Sequence, residues 1–254
     1  MAPPLLRTVK RTLRLGSAFL LREAHRGYCP ICERTTTFIE RGPWLRDQYH
    51  CTRCHSIPRW RALMHVLAET FPDWRARTIH ECSPGGPLSE KLARECAGYV
   101  PTHYFPGEKG GSMVRGFRCE DLMAQTFPDA AFDLVVTSDV FEHIPNAEAA
   151  SREIMRTLKP GGAHVFTVPW FRSKPTVVRA VIREGQLVHL APPDYHGNPV
   201  DENGSLVFTE WGEDFPFLSS KWTGVPLLIC RVRDRRLGLD GEFLEVFVQQ
   251  KPKI

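Results

Sequence analysis

Between Thr78 and Val168 the chain alternates strand-like and helix-like runs, and this rhythm limits the fold more than any other feature. Thr78 to Cys82, Tyr99 to Tyr104, Phe132 to Ser138 and Ala163 to Val168 read as strands, with a further short strand around Phe117. Leu88 to Glu95 and Ala147 to Leu158 read as helices. Strands separated by helices return to one sheet in the same direction, so the expectation is an α/β domain, a parallel sheet covered by helices. Beyond Val168 the pattern predicts a helix at Thr176 to Arg183, a Pro/Gly-rich loop from Ala191 to Gly204 and a helix near Trp211 to Ser220. Leu227 to Val232 and Phe243 to Gln249 then read as an antiparallel strand pair.

The segment before the sheet is different in kind. Residues 4–26 read as a basic amphipathic helix, with Leu5, Leu6, Val9 and Leu13 on one side and Arg7, Lys10, Arg11 and Arg14 on the other. Such a helix packs on the protein's own body or on a second copy, which makes a homodimer one expectation. Cys29-Pro-Ile-Cys32 and Cys51-Thr-Arg-Cys54 follow, two Cys-x-x-Cys knuckles with 18 residues between them. Two residues between thiolates let one tight turn present both sulfurs to one ion, and two such turns complete a tetrahedron, so Cys29, Cys32, Cys51 and Cys54 are expected to hold a structural Zn²⁺. A redox dithiol is the competing reading, and His50 and His55 flank the second knuckle as substitute ligands. The expected organisation is a helix over residues 1–27, a zinc-ribbon-like Cys₄ module over 28–57 and the α/β domain over 58–254.

With 42% hydrophobic and 24% charged residues, the 254-residue chain has the composition of globular material. No run approaches the roughly 18 apolar residues that a spanning helix needs, and no secretory signal pattern opens the sequence, so a cytoplasmic protein is expected. In a reducing compartment the eight cysteines serve as metal ligands and buried thiols before disulfides. Residues 1–75 carry 13 Lys/Arg against 6 Asp/Glu, a basic front that suits either a solvated face or an anionic partner.

The turn that follows Thr78 to Cys82 brings in a family. Glu81, Ser83, Gly85 and Gly86 in Glu-Cys-Ser-Pro-Gly-Gly resemble the first motif of class I S-adenosylmethionine (SAM)-dependent methyltransferases, usually acidic-x-Gly-x-Gly-x-Gly, with Ser83 in the place of the first glycine. Phe127 to Ile144, containing Phe-Asp-Leu-Val-Val-Thr-Ser-Asp-Val-Phe-Glu-His, resembles the fourth-strand motif of the subgroup that includes ubiquinone and menaquinone methyltransferases. Leu158-Lys-Pro-Gly-Gly162 resembles its next motif. The resemblance implies a Rossmann-like, mostly parallel seven-stranded sheet with helices on both faces and an antiparallel C-terminal pair. It further implies SAM as cofactor. Glu120, Asp121 and Leu122 match the element that meets the adenine, and Ser138 and Asp139 the loop beside the methionine moiety. The acid expected after the second strand to grip the ribose is missing, and Tyr104 stands there as an aromatic wall or as ordinary packing.

A sulfonium methyl is already activated, so the remaining work is to align an acceptor and remove its proton. Glu142 and His143 follow the fourth strand, and by resemblance to sugar C-methyltransferases the pair is a candidate base; a structural histidine at a helix start is the alternative. Tyr195, His196 and Asp201 lie in the polar loop expected to cover the acceptor. The leading expectation is methyl transfer, with oxygen favoured, to a small-molecule or saccharide/natural-product acceptor. RNA is the second acceptor, read from Arg53, Arg59, Trp60 and Arg61 beside the zinc module. A non-catalytic SAM-fold scaffold is a third reading.

Overall fold

The structure, a computed structural model, describes residues 23–198, 200 and 202–253. The basic helix expected over residues 4–26 therefore lies almost wholly outside the described residues. Its end is strand rather than helix: Ala24–Cys29 (β1) pairs antiparallel with Arg34–Glu40 (β2), which pairs with Tyr49–Cys51 (β3). Long-range pairing overrides the local periodicity there. At Gly27 the backbone packs so closely on the chain near Arg236 that a Cβ would lie 2.1 Å from its carbonyl oxygen.

Pro58–Thr70 (α1), with Pro58 in the first turn, leads to the central sheet. Its parallel strands are Thr78–Cys82 (β4), Gly98–His103 (β5), Phe117–Cys119 (β7), Phe132–Ser138 (β8) and Leu158–Thr167 (β9). Met113–Val114 (β6) runs antiparallel along one edge, and Leu228–Cys230 (β10) and Val246–Gln250 (β11) form the expected antiparallel pair at the other. The order is β10-β11-β9-β8-β4-β5-β7-β6, eight strands rather than seven because β6 adds a two-residue edge.

Both faces of the sheet are covered, as the apolar strands require. Leu134, Val136, Val165, Val246 and Val248 point to one side and Val135, Phe166 and Phe247 to the other, the two-residue alternation of pleated strands. The first side packs on α1 and on Gly86–Glu95 (α2), and the same core continues without a break into Cys29, Ile31, Phe38, Tyr49 and Cys51. Ala147–Thr157 (α3) and Phe215–Thr223 (α4) cover the second side.

Between β9 and α4 the chain departs from expectation. The helix expected over Thr176 to Arg183 is a pair of strands, Val177–Val178 and Ala180–Arg183, the latter in a hairpin with Gln186–His189. Glu184 and Gly185 both take positive φ, 50° and 77°, which is the two-residue turn that joins twisted strands, and β-branched Val177, Val178, Val181 and Ile182 suit the ribbon. The loop from Ala191 to Gly204 is pinned at its ends by pairing of Tyr195–His196 with Ser205–Leu206. Thr209–Gly212 is a strand, so the helix expected from Trp211 begins only at Phe215.

Candidate cofactor and acceptor site

Strand order reverses direction on either side of β4, since β5 and β8 flank it, and a ligand crevice opens at the carboxyl ends of strands at such a point. A cleft of about 1610 Å³ lies there. The β4, β5, β7 and β8 ends form its floor, Trp44, Arg46, Arg59 and Trp60 one wall, and Ile182, His196 and Leu206 the cap.

Glu81, the last but one residue of β4, is buried. Its Oε1 accepts a hydrogen bond from the Ser89 hydroxyl at 2.8 Å and its Oε2 one from the Tyr99 hydroxyl at 2.5 Å. Burial pushes its carboxyl up to about 7. Ser83 and Gly85 line the cleft, whereas Gly86 lies beneath it, with Trp60 so close that a Cβ would meet the indole at 2.4 Å. Ser83 has φ +57°, the left-handed conformation for which the family pattern places glycine. Ser83→Gly should therefore raise stability by about 0.5–1 kcal/mol, the strain of about 1–2 kcal/mol being partly offset by the freer unfolded chain. Denaturant titration checks this, and a lower midpoint would show that the serine hydroxyl holds the turn.

Asp139, just past β8, takes φ +53° and is gripped from outside the sheet. Its Oδ2 accepts from Arg46 Nη2 at 2.6 Å and Arg59 Nη1 at 3.1 Å, and its Oδ1 from the Thr167 hydroxyl at 2.8 Å. Despite burial, the Arg46 and Arg59 guanidinium groups hold its carboxyl down at about 2. Arg46 comes from the single helical turn Leu45–Gln48 of the cysteine-bearing module, and its Nε donates to the Phe243 carbonyl at 3.2 Å. Arg59 Nε is buried with no hydrogen-bond partner among the described residues, on a side chain that lines the cleft.

Ser138, Glu120, Asp121, Leu122 and Tyr104 also line the cleft. The Glu120 carboxylate is engaged by Arg118 Nε at 2.7 Å, the Thr126 hydroxyl at 2.5 Å and the Thr126 amide at 2.8 Å, so it braces the loop. Asp121 Oδ1 caps the Met123 amide at 2.8 Å. Tyr104 is 53% exposed and lines the cleft, as does Glu108.

At the far end the expected acceptor residues converge. Glu142, His143 and His196 bring their ligand atoms within 4.8 Å of one another. His143 Nε2 and His196 Nδ1 each stand 3.8 Å from Glu142 Oε1. His143 Nδ1 donates to the Leu206 carbonyl at 2.9 Å, which fixes that nitrogen as a proton carrier and leaves Nε2 to face Glu142. The anionic Glu142 raises the pKa of His196. Tyr195 points away, 53% exposed and not a lining residue, and Asp201 is outside the described residues.

The four knuckle cysteines lie on the other side of the module wall, with all four Sγ within 4.8 Å of one another. Cys29–Cys54 and Cys32–Cys51 sulfurs are 3.7 and 3.9 Å apart, against about 3.8 Å for sulfurs about 2.3 Å from a tetrahedral Zn²⁺. Both knuckles close alike, Glu33 N donating to Cys29 O at 2.8 Å and His55 N to Cys51 O at 3.0 Å, and Glu33 and His55 both take positive φ. His50 and His55 stand outside the cluster. The donor set fits a structural zinc. Arg61 is fully buried behind it, donating to the carbonyls of Ser56, Tyr49 and Gly238, and burial lowers it to about 10.

The four residues that suggested an RNA surface are thereby dispersed: Arg61 is internal, Arg59 is bound to Asp139 and Asp47, Trp60 packs on Gly86, and Arg53 alone is exposed. Arg46 is the site residue that sequence reasoning missed, since a lone arginine in a short turn carries no sign of burial.

A family model described as a methyltransferase domain matches residues 88–166. The chain is 29% identical over 135 residues to the sterol 24-C-methyltransferase of Aspergillus fumigatus, covering 47% of this chain and 36% of that one. It is 28% identical over 144 residues to the ubiquinone biosynthesis O-methyltransferase of Xylella fastidiosa, covering 52% and 57%. Each match spans less than two thirds of the relative's length. Among solved structures, one from the complex between the Haloferax volcanii Trm112 methyltransferase activator and a methyltransferase superposes with a TM-score of 0.50 at 16% identity, covering 77% of this chain and 90% of that one.

Proposed function

With residues 88–166 a methyltransferase domain on the class I Rossmann-like fold, we propose that the chain transfers the methyl group of SAM to an oxygen of a small-molecule or saccharide/natural-product acceptor. The observation that carries this reading is one continuous cleft joining the turn after β4 to the Glu142-His143-His196 cluster. Drug-sized ligands fill about 300–1,000 Å³, so a cleft of about 1610 Å³ has room for a cofactor and an acceptor together. The sterol and ubiquinone relatives support a small acceptor by what their names say they methylate or help to build.

SAM would supply an activated methyl on a sulfonium. Ser83 and Gly85 would let the backbone approach its methionine part, and Asp121, Leu122 and Tyr104 would border the adenosine. Asp139 acts from behind, holding Arg46 and Arg59 in place. Glu142 and His143 would carry the acceptor-side chemistry beneath the cap. The four cysteines would hold a structural zinc that shapes the wall bearing Arg46.

Calorimetry with SAM tests the cofactor half, and no heat at millimolar SAM sinks it. His143→Ala should keep SAM affinity while turnover on an accepted hydroxyl compound falls about 10²–10⁴-fold, the usual worth of a positioned acid–base group. Unchanged turnover removes the cluster from the mechanism, and salt-sensitive retention of RNA in a gel would move the acceptor to nucleic acid.

A further inference from the structure

Three groups of potential metal ligands occur among the described residues, and they differ in how their charge is met. The cysteine cluster is the set already proposed to hold zinc. Glu23, His25 and Glu40 sit at the surface, and Glu40 is ion-paired with Arg235. Glu142 is the exception: 2% exposed, with neither carboxylate oxygen accepting a hydrogen bond from any described residue. The His143 and His196 imidazoles stand 3.8 Å from its Oε1, beyond hydrogen-bond reach. A buried carboxylate without hydrogen bonds costs several kcal/mol, which a bound cation removes.

We propose that Glu142, His143 and His196 form a divalent transition-metal site at the acceptor end of the cleft, separate from the cysteine site. Two imidazoles and one carboxylate on one side of an ion form the facial set that leaves further positions open toward the cleft. Ligand atoms about 2.0–2.2 Å from such an ion stand roughly 3.0–3.5 Å apart, so the 3.8 Å separations close by less than an ångström. The outer support a metal-bound imidazole needs is built: His143 Nδ1–H donates to the Leu206 carbonyl, and Nε2 is the nitrogen turned to Glu142, the one that would ligate. The Phe208 amide donates to the Glu142 carbonyl at 2.7 Å, tying the segment after Ser205–Leu206 to the same residue. His196, on the paired strand Tyr195–His196, completes the set from the cap, so a bound ion would clamp the cap to the sheet. The nearby Arg46 guanidinium is bound by Asp139.

Metal binding here requires no methyl transfer; its use does rest on the methyltransferase reading. An acceptor hydroxyl in an open position would become more acidic on the ion, its pKa falling by several units and its proton passing to solvent. His143 then serves as a ligand and not as the base.

The test uses the full chain freed of metal and titrated with Co²⁺ under reducing conditions. Two equivalents should bind, one producing the intense thiolate-to-metal absorption of the cysteine site and the other only weak bands of nitrogen and oxygen ligands. Glu142→Gln, nearly the same shape, and His196→Ala, on the exposed cap, should each bind one equivalent with the thiolate absorption and melting temperature intact. A wild-type chain that stops at one equivalent overturns the proposal, as does a Glu142→Gln chain that still takes two; the first result means that His196 alone, protonated, balances Glu142. SAM calorimetry on the same samples separates the claims: two equivalents without SAM binding leaves the metal site standing and removes the methyltransferase reading.

Discussion

Cys51→Ser should strip the cysteine site of its metal and weaken SAM binding at the same time, although Cys51 is no part of the cleft lining. Apparent binding free energies of structural zinc reach about 10–16 kcal/mol, comparable with the whole stability of a domain at about 5–15 kcal/mol. The knuckle segment shares its core with the sheet, so strain from a lost metal passes directly into the wall of the cleft. Arg46 belongs to that module and Arg59 opens the helix packed against it, and both hold Asp139 beside the cleft. Losing the module therefore frees both guanidinium groups and leaves Asp139 buried without its counter-charges. Metal analysis should show the loss of zinc, the melting temperature should fall by many degrees, and SAM affinity should drop by at least tenfold. Full zinc content in the variant would rule out the cysteine ligation, and wild-type SAM affinity in a zinc-free variant would rule out the coupling.

Acid should destabilise the fold through two histidines that never see water. His80 in β4 and His164 in β9 are buried in the sheet, bonded to Thr102 at 2.8 Å and Thr137 at 3.0 Å, and burial pushes both down to about 3. The unfolded chain takes up protons near the ordinary 6.5 and the native one does not, so stability falls as pH drops below about 6.5. Between pH 7 and 5 each histidine costs about 2 kcal/mol. Glu81 works against them: its native pKa of about 7 lies above the ordinary 4.5, so the folded state gains protons first and recovers about 2 kcal/mol over the same interval. His103, lowered by burial, adds to the loss, and His196, raised by Glu142, to the recovery. The net expectation is a loss of about 2 kcal/mol from pH 7 to 5, roughly doubled in Glu81→Gln, where the recovery is gone. Denaturant unfolding at the two pH values measures both slopes, and equal slopes in wild type and variant would remove Glu81 from the balance.

Much of this was legible before any coordinates. β4 and β8 fall on their expected residues: β8 holds the apolar run Leu134-Val135-Val136, and β4 is ended by the turn-forming Ser83-Pro84-Gly85. The knuckle cysteines meet because their spacing leaves few other uses. What the sequence hid was pairing at a distance. Val177 to Arg183 has apolar positions compatible with either period, and only its partner across Glu184-Gly185 decides for strand. Arg59 and Arg61 look alike in the chain, yet one lines the cleft and the other is walled in by carbonyls. Glu120 sits in the motif expected to meet adenine, but Arg118 and Thr126 two and six positions away take up its carboxylate, a local satisfaction that motif matching does not see.

The unbroken core that runs from β4, β8, β9 and β11 into Phe38 and Tyr49 has a consequence for how such a chain can change. Leu63, Met64 and Leu67 touch a shared interior, with no linker between two separate ones. Neither part can be traded for a relative's equivalent without refitting the side chains of the other. The cysteine-bearing segment and the sheet thus form one folding unit, and a side chain at Gly238, whose Cβ would strike the Phe38 ring at 2.6 Å, would be felt in the core beneath the cleft.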